Sequence, residues 1–371
     1  MTRRLRSTAL VLALAAVPAL GSAAPAQGAA PLEVAIQDDP VFLGQDYLRR
    51  PKGFALAKEL HASWLKVNVS WSSAAGRNAN RKSKPSSVKY DFTPYDGLIN
   101  SAASNGVQLQ LSLTGPAPRW ATGDKRKIGP YKPNATYYKD FVRQAVSHFK
   151  DTIGRYSIWN EPNYVGWIAP LSSAPKIYRS LYVTGYKEIR RIDPSAQILI
   201  GETSPYALRG RATAPLAFLR AVAKSGTLHA DGFAHHPYDF DHAPTFNYPG
   251  KDNVTLSGLS RLTKALDGLA ARNRLSDENG APLDLWLTEY GYFRSGKRKT
   301  KESTRAKYVR KGFDMALAHP RVHQMLHYLL AQPTSRYLFF DTSITSRSGG
   351  RTATFNALAD WADDNLGSLA P

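Results

Sequence analysis

The sequence predicts a single α/β domain folded as a (β/α)8 TIM barrel, and three observations point there. Eight short apolar runs of strand character alternate with eight helix-length segments after residue 30. Parallel strands need crossover helices, so strict alternation argues for a parallel sheet covered by helices. The fourth and seventh strand-like runs both end in glutamate. A closed barrel brings those two ends onto one face, whereas an open doubly wound sheet would hold them apart. Finally, 371 residues at 43% hydrophobic and 21% charged suit one large core with elaborated loops, and no repeat or low-complexity linker divides it.

In chain order, Leu32–Ile36 is the first predicted strand and Phe54–Ala62 its helix. Trp64–Trp71 follows, with Lys66, Asn68 and Ser70 on one parity and Leu65, Val67 and Val69 on the other, the period of two expected of a strand. Tyr95–Ser104 is helical, and Asn105-Gly106 supplies its C-cap. Gln108–Leu113 alternates glutamine or serine with leucine, and Thr136–Lys150 is amphipathic. Arg155–Glu161 is the fourth strand. Its helix, Lys176–Ile192, stops at Asp193-Pro194, because proline disfavours helical backbone in the residue before it. Gln197–Gly201 and Pro215–Lys224 form the fifth unit, and Gly232–His235 and Leu256–Ala271 the sixth. Leu283–Glu289 and Ser303–Ala318 form the seventh, and Val322–Leu330 and Ala353–Asn365 close the ring.

Ahead of the barrel, Met1 to about Ala30 carries Arg3, Arg4 and Arg6, an apolar run from Ala9 to Leu20, and small residues around a cleavage site. This is the pattern of a secretory signal peptide, too short and wrongly flanked to span a membrane. Residues 1–30 are read as the signal and 31–371 as the barrel, so the expected address is outside the cell. No other stretch approaches membrane-spanning length. The chain has no cysteine, which excludes disulfide staples, thiolate chemistry and cysteine-ligated zinc.

The chemistry concentrates in Ile158-Trp159-Asn160-Glu161-Pro162-Asn163 and Leu285-Trp286-Leu287-Thr288-Glu289-Tyr290-Gly291. Each is an apolar strand that delivers a carboxylate at its C-terminal end and is then broken by proline or glycine. Two such carboxylates on one face are what cleavage of a glycosidic bond requires. One protonates the leaving oxygen and the other attacks the anomeric carbon or activates water. Glu202, in Gly201-Glu202-Thr203-Ser204, also ends a strand but lacks a flanking amide, and is expected to support the pair. Asp38 and Asp39 are expected to be structural, with a contact to a sugar hydroxyl as the alternative.

Trp159-Asn160-Glu161-Pro162 and Thr288-Glu289-Tyr290-Gly291 resemble the strand-four and strand-seven motifs of the clan A retaining glycoside hydrolases, with His236-Pro237-Tyr238 matching after strand six. The likeness is closest to families 5 and 39 and covers essentially the whole of 31–371. It implies Glu161 as acid/base, Glu289 as nucleophile, Asn160 on the sugar 2-hydroxyl, and His236 and Tyr238 beside the nucleophile. The chain departs from the pattern in three places. Lys66 stands nearest to the arginine that ends strand two in many members, keeping the charge and losing the planar fork. Gln108–Thr114 lacks the strand-three histidine of some families. His327 or Tyr328 replaces the strand-eight tryptophan.

Aromatic residues after strands two to four, namely Trp71, Trp120, Tyr164 and Trp167, are candidates to stack on sugar rings. No metal or organic cofactor is expected: His235-His236 has no third ligand at a familiar spacing, and His323 and His327 fall within a strand-like run. Formal net charge is +20, and +17 without the three N-terminal arginines. The basic clusters Arg77/Arg81/Lys82/Lys84, Lys125–Lys127, Arg209/Arg211, Lys297–Lys299 with Lys301, and Arg347/Arg351 all fall in loops after strands. They would set a positive rim round the mouth. The expected partner is therefore an oligo- or polysaccharide, anionic or from a cell envelope, whose attraction would also hold the protein at an envelope. No nucleic-acid recognition motif is present, and a monomer is the default. A non-hydrolytic barrel that binds such a glycan, and a transglycosylase using the same two glutamates, are the alternatives.

Overall fold

The computed structural model describes residues 32–334 and 340–367, and the expected barrel closes within them. The predicted signal peptide lies outside the described residues. Eight parallel strands follow one another round the ring: β1 Glu33–Gln37, β2 Trp64–Ser70, β3 Gln108–Thr114, β4 Arg155–Ile158, β5 Gln197–Thr203, β6 Gly232–His235, β7 Leu285–Leu287 and β8 Val322–Tyr328. β8 pairs back onto β1. The intervening helices are α1 Arg50–Glu59, α2 Thr93–Ser104, α3 Ala135–Phe149, α4 Ala174–Ile192, α5 Pro215–Val222, α6 Leu259–Ala270, α7 Glu302–Leu317 and α8 Ala353–Leu366.

Local chemistry sets the helix ends. Asn134 and Thr352 cap α3 and α8 by accepting the Tyr137 and Phe355 N–H groups. α3 buries Tyr138, Phe141, Val142, Ala145, Val146 and Phe149, spaced three and four apart. Its larger side chains contribute roughly 1.5–3 kcal/mol of transfer energy each. Two features escape the expected pattern. β7 keeps only three ladder residues of the seven expected, and Leu228–His229 pairs with Leu275–Ser276 outside the barrel. Two residues are too few to show a period.

Strand parity sorts side chains between the helices and the barrel interior. At the N-terminal end of the barrel the Arg155 guanidinium lies 3.8 Å from the Trp64 ring centroid and 5.3 Å from that of Trp286. It also donates to both Glu33 oxygens at 2.9 and 3.0 Å. Higher up, Ser112 and Ser157 share a 2.5 Å hydrogen bond. Lys66 and Asn68 lie on the same inward row as Trp64 in β2, which leaves charge and amide groups at the top.

The β1–β8 seam is pinned by Asp38. Its carboxylate accepts the Val41 N–H at 3.2 Å, the Tyr47 hydroxyl at 3.1 Å and, from the chain after β8, the Ala331 N–H at 2.9 Å. Burial pushes its carboxyl up to about 7 against the pull of those bonds. We predict that Asp38→Ala, which strands the Ala331 N–H and the Tyr47 hydroxyl while Val41 N–H keeps its bond to the residue 38 carbonyl, costs roughly 1–3 kcal/mol in urea denaturation. A loss below about 0.5 kcal/mol would show that the seam does not depend on this carboxylate.

Candidate active site

Glu161 reaches the mouth because the backbone turns twice after β4. Trp159 and Glu161 both adopt left-handed conformations, with φ of 70° and 35°, each at a cost of roughly 1–2 kcal/mol. The fully buried Trp159 ring holds the turn. It packs edge-on against Tyr138, donates to the Trp167 carbonyl at 3.1 Å, and lies where Gly115 has no side chain. Asn160 and Glu161 are thereby swung from the strand into the opening.

Glu289 extends two residues past β7. The Tyr238 hydroxyl donates to its Oε2 at 3.2 Å, and Lys66 Nζ stands 3.5 Å from its Oε1. Lys66, wholly buried, also donates to Glu202 Oε2 at 2.8 Å and to the Thr288 carbonyl at 3.3 Å. Glu202 is equally buried, and its Oε2 further accepts from Thr288 Oγ1 at 2.8 Å and from His236 Nε2 at 2.7 Å. The other ring nitrogen, His236 Nδ1, lies 3.2 Å from Glu161 Oε1 and 3.6 Å from Glu289 Oε2. One imidazole thus touches all three carboxylates. Because Glu161 and Glu289 share that nitrogen, their nearest oxygens are less than roughly 7 Å apart, within the range of paired glycosidase carboxylates.

Glu202 is in this cluster only because β5 bulges. Alternation from Leu199 would point residue 202 at the helices. Instead the register shifts between Gly201 and Thr203, with Gly201 at φ 120° and Glu202 at φ 49°. A side chain at 201 would sit 2.4 Å from the Ala234 carbonyl, so only glycine fits there.

Burial pulls the His236 imidazole down, but Glu289, Glu161 and Glu202 outweigh it and raise it to about 9. Burial likewise opposes the charge on Lys66, yet Glu202 and Glu289 carry its ammonium above the usual lysine value. Burial would raise the Glu202 carboxyl, but Lys66 and His236 hold it well below the usual carboxylate range. Two cations therefore face three carboxylates, and the cluster carries a surplus negative charge unless one proton stays in it.

Two cavities meet at Glu161 and Phe340. One, of about 250 Å³, is lined by Asn68, Asn160, Trp167, Glu289, Tyr328 and Tyr47 among others. Asn160 Oδ1 and Asn68 Oδ1 are buried there without partners among the described residues, leaving two acceptors for incoming hydroxyls. The other, of about 370 Å³, is lined by Tyr164, Tyr206, Arg211, Tyr238, Phe240 and Arg298 among others. Asn160, Trp167, Lys66, His236 and Tyr238 thus gather round the two glutamates.

Three expected contacts do not. Trp71 and Trp120 are fully buried and pack edge-to-face at 5.9 Å. Their indole N–H groups go to Tyr90 and to the Asn78 carbonyl, so neither offers a face to sugar. His327 is on the helix-facing row of β8, paired in register with Ile36. Burial, with Arg305 adding to it, lowers it to about 3. Tyr328, one residue on, lines the site in its place. Asn68, Tyr47 and Phe340 were not expected there; only Asn68 carried a signal, in sharing the parity of Lys66. Asp39 is structural in part, accepting from Asn68 Nδ2 at 3.0 Å. No group of three or more histidine, aspartate or glutamate side chains among the described residues could hold a metal ion.

No protein-family model matches the chain, and no curated protein does. Solved structures do match in fold. A family 39 glycoside hydrolase from Bacteroides cellulosilyticus superposes with a TM-score of 0.68 at 17% identity, over 90% of this chain and 63% of the other. A family 39 β-xylosidase from Caulobacter crescentus gives 0.59 at 16%, over 91% and 72%. Xylanase 10B from Thermotoga petrophila gives 0.54 at 15%, over 90% and 94%. The chain thus spans less than two thirds of the Bacteroides enzyme. At these identities the likeness establishes the barrel.

Two predictions follow from the charge network. Lys66→Met, which leaves Glu202 buried without its ammonium, should cost roughly 3–5 kcal/mol in urea denaturation. The double change with Glu202→Leu should recover part of that, and strictly additive losses would show the two are not coupled. Second, a folded-state value near 9 against 6.5 unfolded means that the stability contributed by the His236 charge is complete below about pH 6.5 and lost as the pH rises through about 9. The gap in thermal midpoint between wild type and His236→Gln should close over that window, and a flat gap would contradict a charged His236.

Proposed function

We propose that the chain is a retaining glycoside hydrolase acting on a polysaccharide. The observation that carries this reading is the pair of strand-end glutamates, close enough to share one imidazole nitrogen, at the junction of two cavities. The barrel likeness to family 39 and family 10 glycosidases supports it.

In the first step a Glu289 oxygen attacks the anomeric carbon, the bond to the leaving oxygen breaks, and the Glu161 proton passes to that oxygen. Tyr238 and Lys66 hold Glu289 in line through one hydrogen bond and one charge. Conversion of Glu289 to a neutral ester weakens the negative field on Glu161. Glu161 can then take a proton from water as the water oxygen attacks the anomeric carbon and Glu289 leaves. Asn160, with its unpartnered oxygen, is placed for the 2-hydroxyl.

The finer reading is a glycan that carries negative charge. Arg77, Arg81, Lys82, Lys125, Lys127, Arg209, Lys297 and Lys299 are exposed in the loops after β2, β3, β5 and β7, and none pairs with a carboxylate among the described residues. Secretion by the N-terminal segment, and retention at an anionic envelope, belong to the same proposal.

Incubation with 2-deoxy-2-fluoro glycosyl fluorides and cyclophellitol-type epoxides should place an adduct on Glu289, found by peptide mass spectrometry and absent from Glu289→Gln. An adduct on Glu202 instead would overturn the assignment, and none at all would favour a binding protein. Glu161→Ala should lower kcat/KM for alkyl glycosides by roughly 10²–10⁴-fold while largely sparing kcat/KM for dinitrophenyl glycosides, whose leaving group needs no proton in the first step. Equal loss on both would remove Glu161 from the acid role.

A further inference from the structure

We propose that the larger cavity binds an acidic sugar as the leaving group, with Arg211 pairing to its oxyanion. This rests on the glycosidase reading above. The two cavities share Glu161, but only the smaller contains Glu289. The sugar that Glu289 attacks therefore sits in the smaller one, and the larger holds whatever Glu161 protonates.

The lining of the larger cavity specifies an amphipathic ligand. Phe240, Phe293 and Tyr206 supply apolar ring surface to its wall, against which the C–H groups of a pyranose can pack. Two guanidiniums also face it, and they are not equivalent. Arg298 is committed to Asp241, donating through Nε at 3.0 Å and Nη2 at 2.5 Å, and lies over the Phe240 ring at 5.0 Å. Among the described residues Arg211 has a single side-chain partner, the Tyr164 hydroxyl at 2.6 Å, which is a neutral phenol. No carboxylate among the described residues pairs with it, so its charge is open at the cavity wall.

Arg211 is also held in place. Its main-chain carbonyl accepts the Val165 N–H at 2.8 Å, and Thr213 N–H reaches the Asn163 carbonyl at 2.9 Å. The Asn163 amide bridges the Ser204 and Thr213 carbonyls. The backbone that carries Arg211 is thus stitched to the segment directly after Glu161, which sets where the side chain enters the cavity, and the Tyr164 hydroxyl accepts from its tip. Its planar fork matches carboxylate, sulfate and phosphate oxygens alike.

The experiment isolates this cavity by filling the other. The enzyme is first trapped as its 2-deoxy-2-fluoroxylosyl or 2-deoxy-2-fluoroglucosyl ester on Glu289. Reactivation by added acceptors is then followed: the acceptor hydroxyl attacks the anomeric carbon, its proton passes to Glu161, and Glu289 is released. Methyl glucuronide should half-saturate at a concentration roughly tenfold or more below methyl glucoside. That ratio should collapse towards one in Arg211→Ala and survive in part in Arg211→Lys. Methyl glucoside 6-sulfate and 6-phosphate tell a substituent anion from a uronic acid. Equal half-saturation by neutral and acidic acceptors, or a preference that Arg211→Ala leaves intact, overturns the proposal while the glycosidase reading stands. If no fluoro sugar labels Glu289, that reading fails and this one with it.

Discussion

The site depends on one buried ion pair. Lys66 and Glu202 are both wholly sealed from solvent, 2.8 Å apart, on strands from opposite parts of the ring. Desolvating two charges costs several kcal/mol each, and their attraction repays it only when further hydrogen bonds complete the arrangement. Thr288 and His236 supply those bonds to Glu202, and the Thr288 carbonyl supplies one to Lys66. In meeting that demand the cluster orients everything that faces the cavity. His236 is turned so that its free nitrogen lies between Glu161 and Glu289, and the ammonium is held within reach of Glu289. A lysine in this position is a point charge with three donors, and it serves two carboxylates and a carbonyl at once.

Much of this was legible in the chain. The alternation of strand and helix, the two strand-end glutamates and the parity of Lys66 and Asn68 are local patterns, and the barrel follows from them. What was not legible depended on neighbours distant in sequence. Trp71 and Trp120 follow strands, as stacking residues would, yet Tyr90, Tyr138 and Phe141 close over Trp71 and turn it into core. The choice between His327 and Tyr328 is a question of parity at a strand end, where one residue of register exchanges the interior for the helix side. Glu202 was expected to support the pair, but how it comes to face the interior was hidden for the same reason in reverse. A bulge at Gly201 inverts the alternation, and nothing in Gly-Glu-Thr-Ser announces one. Tyr47 and Phe340 enter from loops, which carry no period.

The two cavities divide the labour by chemistry. The smaller is lined by carboxylates, amides and phenols and has orphaned acceptors suited to hydroxyl groups. The larger is aromatic and cationic, with only Glu161 among its lining residues acidic. Selectivity for the two sides of the scissile bond would thus rest on different forces, directional hydrogen bonds on one and ring contact plus charge on the other. Salt would screen the second much more than the first.

The Arg155 plug has a consequence at the far end of the barrel. With its guanidinium between Trp64 and Trp286 and its charge matched by Glu33, the floor is closed, and those three side chains are each at most 7% exposed. Among the described residues the buried carboxylates are thus closed off below and face the two cavities above. On the glycosidase reading, a sugar ring covering the mouth would shield the protons of the network from the bulk buffer. A proton given up inside would then be returned by the molecule that next enters, and the pH of the surroundings would act mainly between turnovers.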